Sequence, residues 1–203
     1  MDFLIPFAVI GAVIAGVVIL ARRGEGEPAE PGIGTVRRLF YYGVGFIALL
    51  VTAGGAQMVF SEVLEAVATD VIVRQRSTQI AFGLAAMIVA GPVWTGVWLL
   101  AKRSLREYAA EAGTMGRKLY VYGVLTVAAS VVAGSAISLL TQAVGGRDYS
   151  PGSTAGVVVW GVVWAFHWRV ESREGQPSEN AHTIRRLHVY TSSGYGVVLL
   201  AVG

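Results

Sequence analysis

The sequence contains no cysteine, and it has few charged residues. The absence of cysteine excludes disulfide bonds, a thiolate nucleophile, iron–sulfur clusters and cysteine-ligated zinc. Asp, Glu, Lys and Arg make up 14% of the 203 residues, whereas a soluble domain carries about 25%. Because 54% of the residues are hydrophobic and fall in long uncharged runs, the composition predicts a membrane protein.

Six apolar runs divide the chain. A helix needs about 20 apolar residues to cross the hydrocarbon core of a bilayer. The first four runs meet this length, the fifth meets it only with its flanking residues, and the sixth stops at Gly203. We therefore expect an all-α integral membrane protein with six spans, the last of them truncated, and more chain after Gly203 in the natural protein. The runs cover residues 3–21, 39–60, 80–101, 119–144, 154–168 and 187–203.

The basic residues lie almost entirely on one side of this predicted threading. Of the 16 Lys and Arg residues, all but Arg74, Arg76 and Arg147 fall in alternate loops. Short cytoplasmic loops collect Lys and Arg, so the bias predicts an N-terminus outside and basic loops in the cytoplasm of a bacterial cytoplasmic (inner) membrane. The net charge of +3 then reflects membrane topology, and we expect a lipid bilayer, not nucleic acid, as the partner of these residues.

The N-terminal residues are interpreted as an anchor followed by a linker. Only Met1 and Asp2 precede the first apolar run, whereas Arg22 and Arg23 follow it. A cleaved signal peptide has the opposite charge order, so residues 1–23 are predicted to be a retained transmembrane anchor. Residues 24–34 are rich in Gly, Pro and Glu and predict a flexible linker.

One short phrase occurs three times at the edge of an apolar run. It reads TVRRLFYYG from Thr35, GRKLYVYG from Gly116 and TIRRLHVYT from Thr183. The returning spans share a Trp-x-x-x-Trp motif that starts at Trp94 and again at Trp160. This periodicity predicts parallel tandem transmembrane hairpins after the anchor. The units are residues 35–103 with an outer amphipathic segment, residues 116–170, and residues 183–203 as the start of a third.

The repeated phrase places cations and a tyrosine where a helix enters the bilayer. Lys and Arg bind lipid phosphates, and tyrosine rings favour the boundary between hydrocarbon and water. The predicted membrane-interface anchors are Arg37, Arg38, Tyr42, Arg117, Lys118, Tyr122, Arg185, Arg186 and Tyr190.

Small residues indicate where helices approach each other. The fourth run carries small or polar residues at every fourth position from Thr126, which in lipid favours close helix contact and hydrogen bonding across the seam. Lining a polar pore is the alternative interpretation of this stripe. The predicted helix-packing residues are Gly54, Gly55, Ser130, Gly134 and Ser138.

The segment between the second and third runs is predicted to be an amphipathic helix on the outer leaflet. Apolar residues recur at helical spacing in residues 61–79, with Glu62, Glu65 and Asp70 between them. The corresponding turn of the second unit is short. This asymmetry makes the outer segment the candidate surface for a partner.

Few residues in the chain suggest chemistry. No acidic residue interrupts the apolar runs, and no catalytic constellation is present, so we expect a protein that is not an enzyme. His167 and His188 lie at the predicted cytoplasmic ends of the fifth and sixth runs, where a bis-histidine haem site is geometrically conceivable. They are weak candidates, since an interfacial position near the headgroups explains each side chain better than ligation does. No cofactor and no metal site is predicted.

The basic-basic-Leu-x-x-Tyr units resemble a bacterial integral-membrane domain of unknown function. The resemblance covers the chain from about Thr35 onward and is carried by the motif VRRLFYYGVGFIALL. That domain recurs in tandem in multipass proteins, including proteins of green non-sulfur bacteria. The resemblance implies a tandem helical fold and brings no catalytic residues.

Three functional hypotheses follow from the sequence. The leading one is a non-enzymatic multipass protein that packs as a homo-oligomer or as a structural or accessory subunit of a larger membrane assembly. The second is a small-solute channel or transporter built from hairpin repeats. The third is a haem-binding electron-transfer subunit.

Overall fold

The computed structural model describes residues 35–69, 76–107, 114–146 and 148–174, and these residues form four α-helices. They contain no β-strand, which confirms the all-α prediction for this part of the chain. We number the helices α1 (Thr35–Thr69), α2 (Arg76–Glu107), α3 (Met115–Ala143) and α4 (Pro151–Glu174).

Among the described residues, three helices are long and apolar enough to cross a membrane, so the structure does not support the six spans predicted from the sequence. The candidate spans are Phe40–Val67, Thr78–Arg103 and Gly116–Ala143. The fifth run does form a helix, α4, but this helix is not among the candidate spans. The predicted anchor, linker, sixth run and third repeat unit lie outside the described residues.

The helices extend beyond the apolar runs from which they were predicted. α1 has 35 residues and continues to Thr69, so the first half of the predicted outer amphipathic segment prolongs a spanning helix. α2 continues through Pro92 to Glu107. α4 continues past Trp168 to Glu174, and this extension brings two acidic residues beside the start of α3.

The helices of each predicted hairpin pack against each other, and α1 also contacts α3 and α4. α3 supplies the central seam, because Val121, Leu125 and Ala128 are almost fully buried at spacings of four and three residues. This spacing keeps one helix face towards its neighbours. On helix faces that are turned away from the other helices, large apolar side chains such as Ile88 and Val89 of α2 are exposed. Such exposure is expected of helices whose outer surfaces meet lipid.

Candidate functional site

A cluster of charged and aromatic side chains lies where α3 begins beside the end of α4. Arg117 and Lys118 are in the first turn of α3, and their exposed fractions are only 1% and 0%. The sequence assigned both cations to lipid headgroups from their position at the edge of an apolar run. In the structure they point inward between the helices, because α4 presents carboxylates to them.

Two carboxylates of α4 pair with these two cations. Glu171 and Glu174 are one helical turn apart and therefore share a face. Arg117 Nε lies 2.9 and 3.0 Å from the two carboxylate oxygens of Glu174, and its Nη2 contacts the same group. Lys118 Nζ lies 2.6 Å from Glu171 Oε2. The four charges cancel, as buried charges must for the cluster to be stable.

Tyr122 completes the pairing by donating its hydroxyl hydrogen to Glu171 Oε1 at 2.7 Å. Each oxygen of Glu171 thus has a donor from α3, one from Lys118 and one from Tyr122. A buried carboxylate with a donor at each oxygen favours a single packing arrangement of the two helices. Tyr122 itself is 6% exposed, so this predicted interface residue belongs to the helix contact.

Aromatic rings cover the other side of the Arg117 guanidinium. The Arg117 Cζ atom lies 5.2 Å from the centre of the Trp98 ring and 6.0 Å from that of Tyr42. A guanidinium over an aromatic face at such distances is attracted by the ring quadrupole. Tyr42, another predicted interface anchor, is 5% exposed. Arg117 therefore connects α4 through its ion pair with α1 and α2 through these rings.

A linear hydrogen-bond network runs through the adjacent aromatic layer. Trp94 donates its indole N–H to Tyr120 Oη at 3.0 Å. Tyr120 Oη lies 3.2 Å from His167 Nε2, and His167 Nδ1 lies 2.8 Å from the carbonyl oxygen of Val163. Since a carbonyl oxygen only accepts, Nδ1 carries the hydrogen. In a neutral ring Nε2 then accepts, and Tyr120 donates to it.

This network argues against haem ligation by His167, which was a weak candidate from the sequence. Its two ring nitrogens are both engaged, and the ring is 1% exposed. Iron at Nε2 would have to displace Tyr120 and break the network. His188 lies outside the described residues, and within them no group of three or more His, Asp or Glu side chains is arranged to hold a metal ion.

The opposite end of the bundle contains a second set of polar contacts. Trp160 donates its indole N–H to Gln57 Oε1 at 2.7 Å. Gln142 Nε2 donates to Ser138 Oγ at 3.0 Å and to Ser153 Oγ at 3.2 Å. Ser153 also donates to Ser138 at 2.9 Å. The Gln142–Ser138 bond lies within α3, whereas the others join two helices. We call this set the outer polar seam.

The predicted helix-packing residues occupy different environments. At Gly55 a Cβ atom would lie 2.6 Å from the carbonyl oxygen of Gly83, so this glycine is at a close helix crossing. At Gly54 and Gly134 an added Cβ atom meets no described atom within 4 Å. Ser138 belongs to the outer polar seam, and Ser130 is half-buried on α3.

The remaining predicted anchors are placed only in part. Arg37 and Arg38 lie in the first turn of α1, and Arg185, Arg186 and Tyr190 lie outside the described residues.

Sequence reasoning missed Glu171, Glu174 and the partner role of Tyr120. One signal was available, because the repeat aligns Glu171 and Glu174 with Leu105 and Tyr108 of the first unit. At these two positions the second unit has carboxylates and the first does not.

Little empty space remains inside this cluster. A cavity between α1, α2 and α3 has room for about one water molecule. The cluster can hold helices in register and neutralise charge, and this cavity among the described residues is too small for a substrate. The cavity is lined by Tyr42, Gly45, Trp94, Val97, Trp98, Ala101 and Tyr120.

Comparison with known proteins adds one family match. The family described as Domain of unknown function (DUF5671) matches residues 38–148, which is more than half of the chain. No curated protein and no solved structure matches the chain.

Proposed function

As the chain belongs to the DUF5671 family, whose domain has no assigned function, we propose from its own geometry that it is a non-enzymatic multipass membrane protein. In this proposal it is a structural or accessory subunit of a larger membrane assembly in a bacterial cytoplasmic membrane. The N-terminus faces outward, and the end of the bundle that carries Arg117 and Glu174 faces the cytoplasm.

The observation that carries this proposal is that the groups of the buried polar cluster pair almost entirely with each other. Arg117 and Lys118 are neutralised by Glu174 and Glu171, and His167 has a partner at each nitrogen. A catalytic or transporting site needs a group that is left available to a ligand. Apart from Arg117 Nη1, which is buried without a hydrogen-bond partner, the charged and hydrogen-bonding groups of the cluster serve helix contacts, while wide apolar faces remain exposed on the outside.

Isolation in lipid nanodiscs tests the proposal. We expect native mass spectrometry to find the chain in a complex of fixed stoichiometry, either with itself or with other membrane chains. The same complex should be recovered when the purification tag is placed on the partner chain instead of this chain. A monomer in nanodiscs at all protein concentrations contradicts the subunit role.

The second candidate, a small-solute channel or transporter, is favoured by the outer polar seam alone. Its amide and hydroxyl groups lie between helices where a polar path would begin. Proteoliposomes loaded with small neutral and charged solutes separate the two functions. The subunit role predicts no flux above that of empty liposomes. A flux that disappears when Ser138 is replaced by leucine supports transport instead.

A further inference from the structure

The outer faces of α2 and α4 each change from apolar to basic along their length. On α2, Leu99 is 60% exposed and is followed on the same face by the exposed side chains of Lys102 and Arg106. On α4, Phe166 is 39% exposed and is followed by the exposed side chains of Arg169 and Arg173. The spacings of three and four residues keep each series on one helix face.

The two faces adjoin through aromatic rings. The Phe166 ring centre lies 5.4 Å from that of Trp98 and 6.2 Å from that of Trp94. The helices make no extensive backbone contact with each other, so these rings bridge a gap between them. Lys102 Nζ sits 5.7 Å from the centre of the Trp98 ring. We call the surface formed by Leu99, Lys102, Phe166 and Arg169 the α2–α4 face.

The acidic residues of α4 do not neutralise this face. Glu171 and Glu174 are taken by the buried cations of α3. Their side chains are only 16% and 12% exposed. The exposed cations of α2 and α4 therefore form a basic surface at the end of the bundle. Because the buried cations are paired with these carboxylates, the interior of the bundle is neutral, whereas its outer surface at this end is positive.

We propose that the α2–α4 face binds an anionic phospholipid. Lys102 and Arg169 bind the headgroup phosphate, and the acyl chains lie along Leu99 and Phe166. The candidate span of α2 ends at Arg103, so Lys102 lies at headgroup depth while Leu99 lies in hydrocarbon. A lipid matches this order of apolar and positive groups along the membrane normal, and its negative charge complements the surface.

Tryptophan fluorescence can report on this site without a label. All five tryptophans lie in α2 and α4. We would reconstitute the full chain in phosphatidylcholine bilayers containing either brominated phosphatidylglycerol or brominated phosphatidylcholine. Bromine quenches indole fluorescence on contact, so competition between the two lipids gives their relative association constant at the protein surface.

We expect phosphatidylglycerol to associate several-fold more strongly than phosphatidylcholine with the unaltered chain. The double variant Lys102→Gln/Arg169→Gln should bring the ratio close to one. The control Arg74→Gln/Arg76→Gln removes two cations that lie, in the sequence, just before and at the first residue of α2, and it should keep the original ratio. Raising the salt from about 0.1 to about 1 M should lower the ratio in the unaltered chain, because screening shortens the reach of the cations.

Several outcomes would overturn the proposal. Equal association of both lipids with the unaltered chain is one, and full selectivity in the Lys102/Arg169 variant is another. A third is the absence of quenching by either lipid, since it would mean that a second copy or another segment of the chain covers the face. The salt series uses only the unaltered chain, so it tests the proposal even if the variants fail to fold.

Discussion

Gly55 of α1 and Gly83 of α2 face each other where the two helices cross. A Cβ atom on Gly55 would lie 2.6 Å from the carbonyl oxygen of Gly83, and one on Gly83 would lie 2.8 Å from that of Gly55. Both contacts are with backbone, which cannot rotate away as a side chain can. The crossing therefore depends on the absence of a side chain at both positions, as in small-residue contacts of membrane helices.

Replacing Gly55 with alanine should separate these helices and lower the free energy of unfolding by about 1–3 kcal/mol, as overpacking does elsewhere. Gly54→Ala is the matched control, because its new methyl group meets no described atom within 4 Å. Alanine favours a helix over glycine by about 1 kcal/mol, so the control should be neutral or stabilising. Unfolding in mixed micelles measures both, and equal stability of the two variants would contradict the crossing.

The Lys118–Glu171 pair should show strong coupling between its partners. Lys118→Met leaves the Glu171 carboxylate without its cation, and removal of one member of a buried ion pair costs about 3–5 kcal/mol. Glu171→Leu should cost a similar amount, because Lys118 is 0% exposed. The double variant should recover much of the loss. A double-mutant cycle of unfolding free energies checks this, and simple additivity of the two losses would refute the pairing.

Tyr120→Phe should destabilise the aromatic layer by about 1–3 kcal/mol, because it leaves the Trp94 donor and the His167 acceptor buried without their partner. The same substitution at Tyr149, whose hydroxyl bonds only at the exposed surface to Thr154, should change stability by less than about 0.5 kcal/mol. Thermal unfolding in detergent compares the two variants. A similar loss at both sites would show that the network contributes nothing specific.

The hydrogen-bond geometry also predicts the tautomer of His167. Its hydrogen should reside on Nδ1 at neutral pH, because Nδ1 faces the carbonyl of Val163 and Nε2 accepts from Tyr120. Nitrogen-15 NMR of histidine-labelled protein distinguishes the two ring nitrogens. The signal that disappears in His167→Gln identifies the residue. A hydrogen found on Nε2 would reverse the assigned direction of the Tyr120 bond.

The orientation in the membrane can be measured with single cysteines, since the chain has none of its own. A cysteine at Tyr149, in the segment between α3 and α4, should react with an impermeant maleimide on intact cells. A cysteine at Arg106, at the other end of the bundle, should react only after permeabilisation. Both native side chains are exposed. The reverse pattern would invert the proposed topology and leave the packing unchanged.

The sequence predicted the existence of the four described helices well, because each contains an uncharged apolar run. It predicted their ends less well. The fifth run was ended near Trp168, where the apolar residues stop, whereas α4 continues to Glu174. Polar residues do not end a helix when a neighbouring helix supplies partners for them, and here α3 supplies Arg117 and Lys118. The apolar pattern alone contains no information about that neighbour.

The sequence predicted several residues of the candidate site, but it predicted neither Glu171 and Glu174 nor the contacts among the residues. Tyr42, Arg117, Lys118, Tyr122 and His167 were all singled out from the sequence. The prediction placed them at the lipid boundary because position along one helix was the only geometry available. Their partners lie 47 to 57 residues away for the contacts between α3 and α4, and such pairings depend on how the helices associate.

The equivalent tryptophans of the two hairpins each bond to a residue of the other hairpin, and this has a consequence for biosynthesis. Trp94 of the first hairpin bonds to Tyr120 of the second, and Trp160 of the second bonds to Gln57 of the first. When only the first hairpin has been synthesised and inserted, the indole N–H of Trp94 and the side-chain carbonyl of Gln57 lack these partners. Both bonds form once the second hairpin packs against the first. We therefore expect the first hairpin to stay close to the insertion site until the second is inserted.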